Sequence, residues 1–375
     1  MWLSLVDTQF MVMRSIALAT ALGLAGLACN TQSSDGRSGT PAAVESPGGA
    51  LAANLVYSPT LGRVLALVGS AEPISPALDS IAVWSWDGSR WQRMPGSGPL
   101  MRRLAAADYD VSRRRLMFHG GLRNEPSLHS LDELWEWDGR SWSRRDPTVQ
   151  VARDHHFLVY DPTRATSVMF GGGELPLGTP PPWVWPRETW EWNGLQWSRL
   201  DVPGPSPRGR AAMIYDARRN EVMLFGGVSA PDSAGAQHNL NDTWRWNGTR
   251  WNKASDSGPA PRNAHTMAFD DKRGVALLFG GEAGSRAFVD LWEWNGDRWR
   301  EIPFQAPNPG PRYAPGLAFD SRRGVLVLYG GLVHDSGGRT RRMDDTWEWD
   351  GVRWRQIHPG DTWELDGEVW RRMRN

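Results

Sequence analysis

Arginine recurs in this chain just ahead of apolar, strand-like segments. Pro207-Arg208, Pro261-Arg262 and Pro311-Arg312 repeat one dipeptide, and Arg102 and Arg153 hold the equivalent places. Around them lie Arg103, Arg210, His155, His156 and His265. A guanidinium is permanently charged and presents its donors as a fork that matches a carboxylate or another anion. Several of them around one opening would form an anion site. Recurrence also has a plainer reading, because an arginine present in every unit can hold that unit by bonding loop carbonyls or a neighbouring acid. Arg103, His155 and Arg210 do not recur, so they are the stronger individual candidates for touching a ligand. Trp183 and Trp185 stand apart too, in the proline-rich stretch Glu174–Pro186. They suit stacking on a sugar, anchoring a peptide, or packing the stretch on itself.

Other chemistries find little support. The chain has 8 His and 1 Cys, with no His-x-x-x-His or Cys pair, so neither a metal site nor a redox pair is indicated. The adjacent His155 and His156 alternate faces on an extended chain and would not chelate together. No phosphate loop and no Gly-x-Ser-x-Gly is present. Glu136, Glu191, Glu293 and Glu348 recur between paired tryptophans, which argues for a structural cross-strand role. Lys plus Arg equals Asp plus Glu, 42 each, which argues against a nucleic-acid partner or electrostatic adhesion to a membrane. No catalytic residue and no cofactor is assigned.

These residues sit on a repeat. A Gly-Gly pair after an apolar run occurs at Gly120-Gly121, Gly171-Gly172, Gly226-Gly227, Gly280-Gly281 and Gly330-Gly331, with Gly69-Ser70 as a degenerate sixth. Each is followed by Trp-x-Trp, then Asp-Gly or Asn-Gly, then another Trp, as in Trp292, Trp294 and Trp299. A period of about fifty residues marks a repeat architecture. Each unit reads as four strands. In the fifth these are Thr266–Phe269, Val275–Phe279, Asp290–Trp294 and a strand carrying Trp299. The third and fourth meet at the hairpin signal Asn295-Gly296. A two-residue loop there would place Trp292 opposite Trp299, and a four-residue loop would place Trp294 opposite it.

Gly-Gly after the second strand, an aromatic on the third and Trp on the fourth resemble the Kelch repeat. The resemblance covers about residues 51–358. Trp stands where the family usually has Tyr on the third strand, and Gly69-Ser70 breaks the doublet. It implies an all-β fold, a six-bladed β-propeller of four-stranded antiparallel blades, with a seven-bladed ring as the alternative. Asp361–Gly367 with Trp370 repeats the third and fourth strands alone and either caps the last blade or lies outside the ring. Alternating strand direction sends the one-to-two and three-to-four turns to one face. The variable loops, including Glu174–Pro186 and Val228–Leu240, emerge on the other with the arginines, and variable loops on a rigid scaffold are where binding concentrates. In Kelch substrate adaptors, comparable arginines bind acidic peptides. The copper radical oxidases of this type need a Tyr–Cys cross-link that Cys29 cannot supply inside a propeller. Kelch-type sugar mutarotases need only acid and base groups near the channel.

The N-terminal residues read as an address. Arg14, the apolar run Ile16–Ala28 and the small residues before Cys29 describe an export signal, cleaner if translation starts at Met11 or Met13. Leu27-Ala28-Cys29 resembles the lipobox of bacterial lipoproteins, with Gly26 where Leu is usual; ordinary signal cleavage is the alternative. The expected organisation is a signal over 1–29 with lipidation at Cys29, a flexible linker over 30–50, a propeller over 51–360 and a partial repeat over 361–375. The expected function is a non-catalytic binding scaffold of the bacterial cell envelope. It would recognise a protein or glycan through the variable-loop face, as an exported monomer that is an outer-membrane lipoprotein, periplasmic or extracellular. A mutarotase-like enzyme is the alternative. Membrane contact is expected only through the lipid.

Overall fold

The computed structural model describes residues 47, 54–68, 80–124, 127–178, 183–335, 337–366 and 369–373. The signal segment, Cys29 and Gly69-Ser70 lie outside the described residues, as does the linker except Pro47. Six antiparallel four-stranded sheets follow one another along the chain. Blade five consists of Thr266–Asp270, Val275–Phe279, Leu291–Trp294 and Trp299–Ile302, within a residue or so of the strands read from sequence. The innermost strand of each blade lies beside those of its two neighbours. Gly316–Asp320 of blade six meets Asn54–Ser58 of blade one, so the ring closes at six and the seven-bladed alternative falls.

Closure is chemical as well as geometric. Trp86 Nε1 of blade one donates to Glu348 Oε1 of blade six at 2.7 Å, and Trp91 Nε1 donates to Thr346 Oγ1 at 2.9 Å. The same tryptophan-to-threonine bond joins Trp251 to Thr189 and Trp299 to Thr243. The apolar core lies between blades. One cluster joins Leu65, Val83 and Phe118 of blades one and two, and another joins Val64, Trp86 and Tyr329 of blades one and six. Each blade therefore buries both faces, which is why the second strands are continuous apolar runs.

The third-to-fourth hairpin has a four-residue loop, so Trp294 faces Trp299. Their ring centroids are 5.5 Å apart, tilted by 51°. Asn295 decides this: its Oδ1 accepts the N–H groups of Asp297 and Arg298, each at 3.0 Å, and shapes the longer turn. Of the glutamates between the tryptophans, Glu293 and Glu136 take the cross-strand role expected of all four, while Glu348 accepts from Arg323 and Trp86 and Glu191 Oε1 is buried without a hydrogen bond. Glu293 accepts from Arg300 directly opposite and from Arg273, while Glu136 accepts from Arg113 and Arg145.

Gly-Gly has a steric cause. Gly280 and Gly281 have φ of +69° and +95°. A Cβ on Gly280 would stand 2.6 Å from the Arg312 carbonyl oxygen of the next blade, and one on Gly281 would stand 2.8 Å from the Asn263 carbonyl. The Gly281 N–H donates to that same Arg312 carbonyl at 3.0 Å. The doublet lets adjacent blades meet backbone to backbone.

In blades four and six the second and third strands run past the doublet, to Glu221–Ser229 with Asn239–Trp246 and to Val325–His334 with Thr340–Trp349. Much of the expected loop Val228–Leu240 is thus a projecting hairpin, with register shifts at Phe225/Gly227 and Tyr329/Gly331 that absorb the glycines. The C-terminal hairpin, Thr362–Asp366 with Val369–Met373, pairs with the blade-six projection through Arg341–Met343, outside the ring.

Candidate ligand site at the channel mouth

Each recurring arginine is held inside its own blade. Arg262 Nη1 and Nη2 reach the two Asp290 oxygens at 2.6 and 2.7 Å, and Nη1 also reaches the Gly280 carbonyl at 3.0 Å. Asp290 in turn accepts from Trp292 Nε1 at 2.7 Å. The pattern repeats as Arg208–Asp242–Trp244, Arg312–Asp345–Trp347 and Arg102–Glu133–Trp135. Arg153 reaches Glu174 at 2.9 Å and Glu188 at 3.7 Å. Burial opposes ionisation of Asp242 and Asp290, but the arginine hydrogen bonds and charge hold both carboxyls below their usual range. The guanidiniums of Arg153, Arg208, Arg262 and Arg312, expected near a ligand, thus belong to the frame of the blades. The physical reason is an acid partner in the same blade, in or just ahead of the third strand or in the connection before it.

Two residues after each of these arginines the chain makes one sharp excursion. Leu104, His155, Arg210, Ala264 and Ala314 all have φ between 50° and 60°, a left-handed conformation unusual for residues with a Cβ. They are stitched together blade to blade. His155 N–H donates to Leu104 O at 3.0 Å, Arg210 N–H to His155 O at 3.4 Å, Ala264 N–H to Arg210 O at 2.8 Å and Ala314 N–H to Ala264 O at 2.7 Å. This backbone arc, running through blades two to six, borders the channel where it opens onto the variable-loop face. Its five side chains line a cavity of about 390 Å³, a size suited to a small molecule or a single side group. Only His155 and Arg210 are polar in that arc.

The sequence-selected residues therefore divide. Arg103, His155, Arg210, His265 and Trp183 line the cavity, whereas Trp185 is outside its lining, against Gly209. Arg103 pairs its backbone with Leu122, and its Nη2 donates to Asn124 at 3.0 Å. Arg210 lies 3.8 Å from Glu282, which is also 3.7 Å from His334. His265 is buried with Nε2 at 3.1 Å from the Phe225 carbonyl, and burial beside Arg262 drops its pKa to about 3. His156 occupies the matching place two units earlier and bonds His119 ring to ring at 3.0 Å; burial keeps both neutral.

His155 is supported from below. Its Nδ1 lies 2.5 Å from Oδ1 of Asp154, a carboxylate with no solvent exposure. The other oxygen, Oδ2, accepts from Ser130 Oγ and from Trp183 Nε1, the latter at 3.1 Å. His155 Nε2 is buried with no hydrogen-bond partner. Asp154 and Ser130 carry no local sequence signal, since they lie 24 residues apart and only the fold brings them together. Aligning the units on the arginine would have shown the variable position two residues on. Among the described residues no group of His, Cys, Asp and Glu could hold a metal ion.

No curated protein matches the chain. Residues 189–363 match the family model of the KLHDC2/KLHL20/DRC7 Kelch-repeats domain, and this match together with the six-bladed ring supports a Kelch propeller.

Proposed function

We propose that the protein is a non-catalytic binding scaffold that takes up a protein or glycan ligand at the channel mouth of its variable-loop face. The Kelch propeller is consistent with an interaction role. The observation that carries the reading is the division among the arginines and histidines. The arginines that recur are turned into their own blades, while the departures, His155 and Arg210, each with an acidic neighbour, stand together on a cavity of about 390 Å³. Arg103 and Trp183 flank them. Export through the N-terminal signal, with a lipid on Cys29, would place this scaffold at a bacterial cell envelope as a monomer, periplasmic or surface-exposed, and intact mass of the mature chain reads that lipid directly.

The test compares species retained from envelope extract, and from a glycan array, by the wild-type chain and by a His155→Ala, Arg210→Ala double variant. Alanine already occupies the same position of the arc at Ala264 and Ala314, so the backbone accepts it. Ligands of the mouth are those retained by the wild type and lost by the variant. Identical profiles would remove the channel mouth from the function.

A sugar-modifying activity is the second reading, favoured by the Asp154-backed His155, which has the geometry of an oriented general base. Acceleration of anomer interconversion of a free sugar that His155→Ala abolishes would establish it, and rates equal to the buffer rate would dismiss it.

A further inference from the structure

His155, His156, His265 and Tyr313 each line the mouth and each hold a buried polar atom without a hydrogen-bond partner. The rings of His156 and His265 are turned between blades, where a Cβ on Gly120 or Gly226 would stand 2.9 or 3.1 Å from their Cε1 atoms. Tyr313 stacks on His334 of the blade-six projection, with ring centroids 5.0 Å apart. His155 differs from these three because it stands on the arc itself, its side chain 10% exposed. Asp154 fixes its ring. A carboxylate can only accept, so Nδ1 carries the N–H that meets Oδ1 at 2.5 Å. In the neutral ring Nε2 is then an acceptor. The protein supplies it no donor. Leaving such an atom buried and unpaired costs free energy that a donor on a ligand recovers.

The wall around that atom decides what carries the donor. Leu104, Ala211, Ala264 and Ala314 line the mouth together with Trp183, whose indole N–H is already directed at Asp154. A sugar brings a hydroxyl on nearly every carbon, and most of them would lose water against this wall without gaining a partner. The guanidiniums of Arg103 and Arg210 on the same lining disfavour a donor that is itself a cation. A phenol suits the mouth better, because it is a flat apolar body with one hydroxyl at its tip. We infer that the mouth receives the tyrosine side chain of a protein partner, its hydroxyl donating to His155 Nε2 and its ring beside Trp183. This rests on the binding reading above and narrows it to a protein that presents an exposed tyrosine. A cavity of about 390 Å³ admits one side chain of that size.

Equilibrium dialysis of the full chain at pH 8 tests this with the N-acetyl amides of tyrosine, phenylalanine, 4-cyanophenylalanine and phosphotyrosine. The tyrosine probe is expected to bind at least about tenfold tighter than the phenylalanine and cyano probes, which lack the donor. His155→Ala should bring the tyrosine probe down to the level of phenylalanine and leave phenylalanine unchanged. Asp154→Asn reads the ring's orientation. The Trp183 N–H can only donate, so it keeps the amide oxygen on its own side. The amide NH2 then faces His155 Nδ1, and the ring N–H moves to Nε2. That variant should lose most of the tyrosine advantage over the cyano probe, which is an acceptor. Equal binding of tyrosine and phenylalanine would overturn the inference, as would a tyrosine advantage that survives either substitution. Tighter binding of phosphotyrosine than of tyrosine would also overturn it, since the cations of the lining would then govern the mouth. If no probe binds but the double variant still loses ligands that the wild type retains, the tyrosine assignment fails and the binding function stands. If those profiles are identical as well, both fail.

Discussion

Arg208 and Arg210 are two residues apart, identical in type and opposite in use. The side chain of Arg208 is 1% exposed and grips both oxygens of Asp242. That of Arg210 is 14% exposed and turns into the channel from a left-handed backbone position. Register explains the difference. The first lies where each blade sets an acid of its own against the arginine, and the second lies on the arc that the blades build around the axis. A residue shared by the blades serves the blade, and a residue particular to one blade serves the axis.

The largest test of that contrast is to remove one arginine of each kind. Arg262→Ala leaves the half-buried Asp290 without its counter-charge, and the expected loss is at most about 3–5 kcal/mol in equilibrium denaturation. Arg210→Ala should cost less, since Glu282, 3.8 Å away, is also 3.7 Å from His334, and alanine serves at Ala264 and Ala314. Comparable losses from the two would end the distinction.

Gly281→Ala probes the contact that lets blades carry the ring. The added methyl would meet the Asn263 carbonyl and the His265 Cβ, each at 2.8 Å, at φ +95°. Strain and overpacking together should cost about 2–4 kcal/mol, seen as a lower denaturation midpoint.

Asp108 sharpens the comparison because it is a departure that is not at the mouth. The inner strands carry Val56, Val159, Ile214, Ala268 and Ala318 at the matching position. Its Oδ2 accepts the Tyr160 N–H of the next blade at 2.6 Å, and burial raises its pKa to about 6. The folded state thus holds this proton more tightly than the unfolded chain. Its contribution is complete below about pH 4, falls as pH rises, and levels off above about pH 6, by on the order of 3 kcal/mol at most. Asp242 and Asp290, both lowered, act in the opposite direction and lose stability as pH falls. The wild type minus Asp108→Asn difference across pH 4–7 isolates the effect, and a flat difference would refute it.

Smallest is Trp299→Phe, which keeps most of the apolar packing and deletes the bond to Thr243. A loss of about 1–2 kcal/mol is expected, reduced in a Thr243→Val background, where the partner is already gone.

Local residue types made much of this readable in advance. Apolar runs, Gly-Gly and Asn-Gly placed the strands of blade five nearly to the residue, because turns and pleats depend on neighbours in the chain. The Trp294–Trp299 pairing was left open, since it turns on whether Asn295 captures two backbone N–H groups. The arginines were seen as a set, but separating frame from mouth required their acid partners, and Asp242, Asp290 and Asp345 lie 28–34 residues further along. The projecting hairpins of blades four and six were also hidden, because Gly-Gly usually ends the strand and only the bulge lets it continue.

The sequence alone determined the repeat, its four-strand content and the difference between a uniform face and a variable one. These follow from periodicity and turn chemistry, which act over a few residues. The tertiary structure decided that the propeller closes at six, that five left-handed residues from separate units form one arc, and that Asp154 stands beneath His155 with Trp183 and Ser130. Those facts depend on how far each blade is rotated from the last. That rotation is set by the packing between sheets, which no single repeat contains.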